Sequence, residues 1–353
     1  MKIAVLSPTT IQFVEKMASL YPGREIAVVG PKPNDAFGWN DYARRAAEWD
    51  KLGLRIAYDH RPYGEIDFSA YDVLIETYET LEMEPEWRAH CARYECPVVV
   101  KACWTKAPYV PDLPCPEDYY DKVRDAPLLL EMPAHAPNWE SSGFSDVNLV
   151  FNPVGQWWFD AEWTGADGRA VMVLSGKDKW RRKAHHGLDL FDRLAADFPG
   201  RVHLHDGAVD YKTSAEMAQM LARARVFLVL DEAYGQGERP LSLVFTEALS
   251  AGCPVAARDA PGLSYKDYID GNGVAARDYG ALKDYVGRCL DDLAFARAQS
   301  AASRSIALRH FSPAALQPQY EAIFARARAA FERRRAGAVR RIALSAYARL
   351  SIE

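Results

Sequence analysis

Residues 235–254 read G-Q-G-E-R-P-L-S-L-V-F-T-E-A-L-S-A-G-C-P, and this segment decides the fold. It follows an apolar strand pattern at 226–230 and opens as a loop flanked by glycines. Pro240 suits the first turn of a helix, where a missing backbone N–H does no harm. Gly252 then predicts the end of that helix, and residues 255–257 the next strand. A strand, a loop, a helix and a further strand in this order indicate an α/β protein.

The helix predicted within this segment is apolar on nearly every face, which is typical of a buried helix. Its one charged residue is Glu247. A buried carboxylate without a partner is strongly destabilising, so we expect Glu247 to have a hydrogen-bonding partner. A loop-to-helix junction behind a parallel strand is also where α/β proteins bind phosphate, because the first helical N–H groups favour an anion. Two interpretations stay open on the pattern alone: a nucleotide site, or a buried helix whose Glu caps a neighbouring loop.

The segment resembles the signature of family 4 glycosyltransferases, which are retaining enzymes of the GT-B fold. In that family two Glu lie eight positions apart, and the second is followed by Ala, Gly, Pro and Val, as Glu247 is here. The resemblance implies that Glu247 binds the ribose hydroxyls of the donor nucleotide, with Leu243 and Val244 beside it in the donor site. The first Glu of the signature falls at position 239, which is Arg239 in this chain, and Glu238 lies one residue earlier.

This departure from the signature leaves two alternatives for the candidate catalytic residues, Glu238 and Arg239. Arg239 cannot accept hydrogen bonds from sugar hydroxyls, because a guanidinium only donates. Either the loop shifts by one residue so that Glu238 takes the position, which Gly235 and Gly237 allow, or Arg239 binds an anionic group. That group would be the leaving phosphate or the carboxylate of an acidic sugar.

A cationic turn, G-K-D-K-W-R-R-K at residues 176–183, follows the strand pattern at 171–175. Cations beyond the carboxyl end of a strand form a plausible diphosphate site, and the alternative is a solvated basic turn. The resemblance implies that Lys177 and either Lys183 or Arg182 hold the donor phosphates. Because the chain contains no Asp-x-Asp motif, we expect these cations and a helix N-terminus to stabilise the diphosphate without a metal.

Length and composition describe the class of protein. The chain has 353 residues, of which 49% are apolar and 26% charged, as in a soluble globular protein of two domains. A net charge of −5 gives no global field that favours nucleic acid. None of the six Cys forms a C-x-x-C pair, which disfavours a zinc or iron–sulfur site and indicates reduced thiols. The chain begins as a strand rather than a secretory signal and has no membrane-spanning run, so we expect a cytoplasmic protein. No cofactor is expected, since the nucleotide-diphosphate sugar implied by the resemblance is a donor substrate.

Strand and helix patterns alternate twice along the chain, which predicts two Rossmann-like domains with doubly wound parallel sheets facing a cleft. Strands are predicted at 3–6, 26–29, 54–57, 72–75, 98–100, 128–130 and 147–151, and then at 171–175, 202–205, 226–230 and 255–257. An Asn-Pro turn at Asn152 marks the passage between domains, as in the resembling family. We therefore expect an acceptor domain at 1–151, a donor domain at 152–310, and C-terminal helices at 311–353 that cross back to the first domain.

The candidate acceptor residues lie in the first domain, after its first and fourth strands: Thr9, Thr10, Glu76 and Tyr78. The alternative role of the two Thr is to cap the helix that follows them. The proline-rich stretch 107–143 either shapes an acceptor pocket or is inert surface. The aromatic residues just beyond the domain boundary either stack on sugar rings or pack, and packing is favoured: Trp157, Trp158, Phe159 and Trp163.

The last segment, residues 326–349, contains eight Arg and one acidic residue, Glu332. Apolar residues fall on one helical face near its end: Val339, Ile342, Ala343, Ala346 and Leu350. Such a basic amphipathic helix lies on an anionic membrane surface, or it packs on the acidic remainder of the protein.

Together these observations favour a glycosyltransferase, specifically a hexosyltransferase. It would move a sugar from a UDP- or GDP-linked donor to a hydroxyl of a glycan, lipid-linked or small-molecule acceptor, with retention and without metal. Two other readings stay open. One is a nucleotide-sugar epimerase of the same architecture, and the other is a non-catalytic glycan- or nucleotide-binding partner, which the missing first Glu motivates.

Overall fold

The structure is a computed structural model. It describes residues 1–6, 11–29, 42–59, 61, 65–77, 96–102, 124–131, 135–174, 187–207, 209–210, 212–231, 242–260 and 264–350, with side chains of the last helix as far as residue 337.

The first sheet contains, within the described residues, seven parallel strands in the order β3-β2-β1-β4-β5-β6-β7. Its strands are β1 (Ile3–Leu6), β2 (Glu25–Val29), β3 (Arg55–Asp59), β4 (Val73–Thr77), β5 (Val98–Ala102), β6 (Leu128–Leu130) and β7 (Val147–Leu149). The helices described with it are α1 (Ile11–Leu20), α2 (Tyr42–Trp49) and α3 (Ala136–Ser141). The central strands are runs of Val, Ile and Leu buried on both faces, as a parallel sheet covered on both sides requires.

The second sheet contains, in the same described part of the chain, five parallel strands in the order β12-β11-β10-β8-β9. They are β8 (Ala170–Leu174), β9 (Val202–Asp206), β10 (Val226–Val229), β11 (Val255–Arg258) and β12 (Gly273–Ala276). The accompanying helices are α4 (Gln156–Asp160), α5 (Leu188–Asp197), α6 (Ser214–Arg223), α7 (Leu243–Ser250), α8 (Tyr279–Asp291) and α9 (Leu293–His310). The prediction of two doubly wound parallel-sheet domains is confirmed.

The central segment folds as predicted at its carboxyl end. Helix α7 begins at Leu243 after an N-cap at Ser242, and residues 232–241, including Pro240, lie outside the described residues. Gly252 adopts a φ of 76°, a left-handed conformation that ends the helix, and the Cys253 N–H donates to the Ala248 carbonyl at 2.8 Å. Strand β11 follows at once, beginning at Val255.

The proline-rich stretch is not wholly irregular. Its described part contains the predicted strand β6 and also helix α3, which the sequence reading missed. Pro137 stands in the first turn of that helix, where proline is tolerated, so this proline of the stretch belongs to a helix start. Trp139 of α3 is fully buried and packs edge-on against Phe144.

Helix α10 (Pro313–Leu350) leaves the second domain and packs on the first sheet. Ser312 caps its start, since the Ala315 N–H donates to the Ser312 hydroxyl at 3.2 Å. Its buried side chains belong to the same core as β1, β2 and α1: Leu316, Tyr320, Ile323, Phe324 and Ala327. Further along, Arg326 pairs with Asp146 at 2.9 Å and Arg334 with Asp125 at 3.4 Å. The domain bounds 1–151, 152–310 and 311–353 stay predictions.

Candidate functional site

An ion pair joins a helix of the first domain to a helix of the second. Lys16 lies in α1, the helix that follows β1, and Glu247 lies in α7, the next helix described after β10. The Lys16 ammonium nitrogen Nζ is 2.9 Å from Glu247 Oε1. The pair therefore joins the two domains, on helices that follow strands of the two sheets, and in doubly wound folds the ligand crevice lies outside the carboxyl ends of such strands.

Glu247 is the charged residue of an otherwise buried helix. Phe245, Ala248 and Leu249 are fully buried, whereas the Glu247 side chain is 13% exposed. The sequence requires a partner for this carboxylate, and the structure supplies Lys16 of the other domain. Leu243 and Val244 are half-buried in the first turn of the same helix. Their donor-binding roles, like that of Glu247, stay predictions.

A second polar contact joins the domains beside the first. The backbone N–H of Ser214, at the start of α6, donates to Glu48 Oε2 of α2 at 3.3 Å. A carboxylate at a helix N-terminus is favourable because the first helical N–H groups lack partners and the helix dipole is positive there. Helices α1 and α2 of the first domain are joined to each other as well, since Arg45 Nη1 of α2 donates to both oxygens of Glu15 of α1 at 2.9 Å.

Charged side chains also converge at the carboxyl ends of β4, β5 and β6. Lys101 donates to Glu131 Oε1, and Asn152 Nδ2 donates to the same oxygen at 2.7 Å. The Lys101 ammonium lies 4.9 Å from the centre of the Phe13 ring of α1. Glu76, predicted as an acceptor residue, is fully buried in β4 one strand away. Sequence reasoning missed Lys101 and Glu131, although each charge at the end of an apolar strand was a usable signal.

One buried histidine lies at the carboxyl end of the edge strand β9. The side chain of His205 is 2% exposed, and its Nδ1 lies 3.6 Å from Asp210 Oδ2. Burial lowers the pKa of His205 below the usual histidine value, and the nearby Asp210 carboxylate opposes that shift. The neutral imidazole is therefore favoured in the folded protein.

Most of the predicted site residues fall outside the described residues, and their roles stay predictions: Thr9, Thr10, Tyr78, Lys177, Arg182, Lys183, Glu238 and Arg239.

The aromatic residues at the domain junction are confirmed as packing residues. Trp158 and Phe159 are buried in the core of the second domain, and Trp157 packs against the cores of both domains. Trp163 donates from Nε1 to the Ala224 carbonyl at 2.9 Å.

Among the described residues no group of three His, Cys, Asp or Glu could hold a metal ion. Three cysteines there are buried: Cys96, Cys253 and Cys289. None of the helices in the described ranges is long and apolar enough to cross a membrane.

Comparison with protein-family models and with curated proteins finds no match. Solved structures do match. HepE of Anabaena, solved in complex with UDP and glucose, has a TM-score of 0.61 at 13% identity, over 92% of this chain and 99% of HepE. Sucrose-phosphate synthase of Thermosynechococcus elongatus has a TM-score of 0.54 at 14% identity, over 92% of this chain and 98% of its own. AviGT4, a glycosyltransferase involved in avilamycin A biosynthesis, has a TM-score of 0.56 at 15% identity, over 93% of this chain and 98% of AviGT4.

These similarities span both domains of the chain. They establish the GT-B fold of glycosyltransferases, which the segment 235–254 predicts. Membership of family 4 stays a prediction.

Proposed function

We propose that the chain is a glycosyltransferase that moves a sugar from a nucleoside-diphosphate sugar, UDP-linked in the first instance, to a hydroxyl acceptor. One observation carries the proposal. Glu247, the second Glu of the glycosyltransferase signature, lies between two GT-B domains and contacts the opposite domain through Lys16. UDP as the donor nucleotide is supported by HepE, whose structure was solved with UDP.

The donor nucleotide binds the second domain. Glu247 accepts hydrogen bonds from the ribose hydroxyls, and Leu243 and Val244 form the start of the helix beside them. Lys177, Arg182 and Lys183 hold the diphosphate and offset its charge as the bond to the sugar breaks, so that no metal is needed. The sugar is transferred with retention of configuration, as the resemblance to family 4 implies.

The acceptor binds the first domain at the carboxyl edge of its sheet. Thr9, Thr10 and Tyr78 are assigned to this edge because they follow the first and fourth strands in the sequence, and Glu76 because it lies near the carboxyl end of β4. The ion pair between Lys101 and Glu131 lies at the same edge, and both side chains have polar groups that suit a hydroxyl compound. A glycan, a lipid-linked sugar or a small molecule would each satisfy this chemistry.

The end of α10 is proposed to contact an anionic membrane surface of a cytoplasmic enzyme. The packing alternative holds for the first part of the tail, where Arg326 and Arg334 pair with Asp146 and Asp125. Membrane contact is therefore proposed for residues 338–350 alone, on the basis of their basic and amphipathic pattern.

Incubation with a panel of UDP- and GDP-linked sugars tests the function and separates the three readings. We expect release of free nucleotide, faster with a suitable acceptor present. A new sugar isomer without nucleotide release would indicate the epimerase instead. Binding without any turnover would indicate the non-catalytic partner. The Glu247→Ala variant, purified in parallel, detects contaminating transferases, because their activity would not respond to the substitution.

A further inference from the structure

Lys16 is a buried charged residue, and burial of its ammonium group is energetically unfavourable. Its side chain is 3% exposed, in a helix that also buries the apolar residues Phe13, Val14 and Met17. An ammonium removed from water needs close partners to offset the lost hydration. Glu247 of the other domain is its salt-bridge partner among the described residues.

Both groups of the ion pair keep hydrogen-bonding capacity that the pair itself does not use. Within the described part of the chain, Lys16 Nζ makes no contact that meets hydrogen-bond geometry, although it lies 2.9 Å from Glu247 Oε1. A carboxylate has about four lone-pair positions, so an ammonium at Oε1 leaves others on both oxygens. The Glu247 side chain is 13% exposed, so small polar groups can reach the lone-pair positions that Lys16 leaves open.

The neighbouring Glu15 serves as a comparison within the same helix. Both of its oxygens accept hydrogen bonds from Arg45, and Trp49 Nε1 donates to Oε1 at 2.9 Å. That carboxylate is satisfied inside the first domain and is 4% exposed. Lys16 and Glu247 instead form a pair that exists only when the domains are together.

We propose that Lys16 is a positioning residue of the donor site, contributed by the first domain. Its ammonium fixes the Glu247 carboxylate with Oε1 turned towards α1, so that the free lone pairs face the ribose diol. Nucleotide binding and domain closure are then coupled, because the second domain alone lacks the group that orients Glu247. This inference rests on the proposed function.

The test measures nucleotide affinity by calorimetry with two probes, UDP and 2′,3′-dideoxy-UDP, which lacks the ribose hydroxyls. For Lys16→Met we expect UDP affinity to fall about tenfold, as for a lost charged hydrogen bond, and dideoxy-UDP affinity to change less than about twofold. Lys16→Arg should recover part of the loss, because it keeps the charge. The double variant Lys16→Met, Glu247→Gln should bind UDP no more weakly than Glu247→Gln alone, since the two residues act as one unit.

A matched control removes an exposed lysine from an ion pair far from the cleft. Lys283 lies 3.1 Å from Asp197, and Lys283→Met should leave both affinities unchanged. Thermal melting establishes that each variant is folded, and if Lys16→Met does not fold, the comparison of the two probes is made on Lys16→Arg.

Three results would overturn the inference. Equal weakening of both probes would reduce Lys16 to a structural link between domains. Unchanged affinity for both would remove it from the site. Tighter UDP binding would mean that Lys16 competes with the ribose. In each case the wild-type protein still prefers UDP to dideoxy-UDP, so the proposed function stands; wild-type protein that binds neither UDP nor GDP would overturn the proposed function and the inference together.

Discussion

At the scale of single residues, the position that separates this chain from the glycosyltransferase signature is Arg239, where the signature has Glu. Glu238 and Arg239 lie outside the described residues, so the choice between them is tested by substitution and activity measurements. We expect Glu238→Ala to lower turnover at least tenfold while nucleotide affinity changes little, because only the sugar loses its acceptor. Arg239→Ala should have the smaller effect. Steady-state kinetics and calorimetry on the two variants measure both quantities.

The opposite ranking would favour the anion-binding alternative and direct the search to donors with an acidic sugar. If neither substitution changes turnover, the loop is not catalytic, and the non-catalytic partner becomes the better interpretation. Glu162→Ala is the matched control, because this Glu is exposed in the turn that precedes β8.

His205 predicts a pH dependence of stability. Its pKa in the folded protein is below the ordinary value of about 6.5, so the unfolded chain binds a proton there that the folded protein excludes. The free energy of unfolding should therefore decrease as the pH falls below about 6.5. His310, whose pKa burial also lowers, contributes with the same sign.

In urea unfolding between about pH 8 and about pH 5.5, the free energy of unfolding of His205→Gln should depend less on pH than that of the wild-type protein. The slopes should differ by at most about 1.4 kcal/mol per pH unit. His203→Gln is the control, since His203 lies two residues earlier on the same strand and is exposed. An unchanged slope in His205→Gln would mean that His205 takes up its proton in the folded state as well.

The sequence predicted Glu247 and its need for a partner, because one charge in an apolar helix is visible without coordinates. It did not predict Lys16, since a lone lysine in an amphipathic helix is ordinarily exposed, and its partner comes from the other domain. Lys101 and Glu131 each stand out as a charge at the end of an apolar strand, but their pairing could not be predicted, because the sequence does not say that β5 and β6 are neighbours.

At the scale of elements, one arginine joins three helices. Arg304 of α9 donates to the carbonyls of Trp158 at 3.2 Å and Phe159 near the end of α4, and to Ser250 at the end of α7. These are carbonyls at helix ends, which lack partners within their own helices. Arg304 therefore holds the helix that carries Glu247 against the domain junction.

Arg304→Met should lower the free energy of unfolding by about 2–3 kcal/mol, because buried carbonyls lose a charged donor. Arg309→Met is the matched control on the same helix, where the side chain is exposed, and it should change stability by less than about 0.5 kcal/mol. Urea denaturation compares the two. Equal effects would show that the Arg304 hydrogen bonds add no more than surface contacts do.

The element pattern was largely readable, and the exceptions have causes. Residues 3–6 form the predicted strand without change, because their apolar run is unambiguous. The strand predicted at 147–151 ends at Leu149, although the Val150 N–H still donates to the Leu130 carbonyl at 3.0 Å. Helix α3 escaped prediction because it has only six residues and lies within the proline-rich stretch.

At the scale of the molecule, α10 links the two domains and carries the basic tail. Ala327 and Ala330 are buried against the first domain, so removal of the whole tail would also remove core packing. Deletion of residues 338–353 avoids this. We expect the full chain to sediment with vesicles that contain anionic lipid, less so as salt is raised, and the shortened chain to stay in solution.

Replacement of Arg340, Arg341 and Arg349 by Gln is the matched control for charge, because it keeps the length of the helix. It should abolish sedimentation as the deletion does. If the full chain ignores anionic vesicles, the tail has no membrane role and a lipid-linked acceptor loses its support.

The donor site itself is tested by a calorimetric titration of UDP into the wild-type protein and the Glu247→Ala variant. We predict that the wild-type protein binds UDP and that the substitution weakens binding by about 1–3 kcal/mol, roughly 5- to 150-fold, because the ribose hydroxyls lose a charged acceptor. Equal affinity in a folded Glu247→Ala variant would contradict this and remove Glu247 from the nucleotide site.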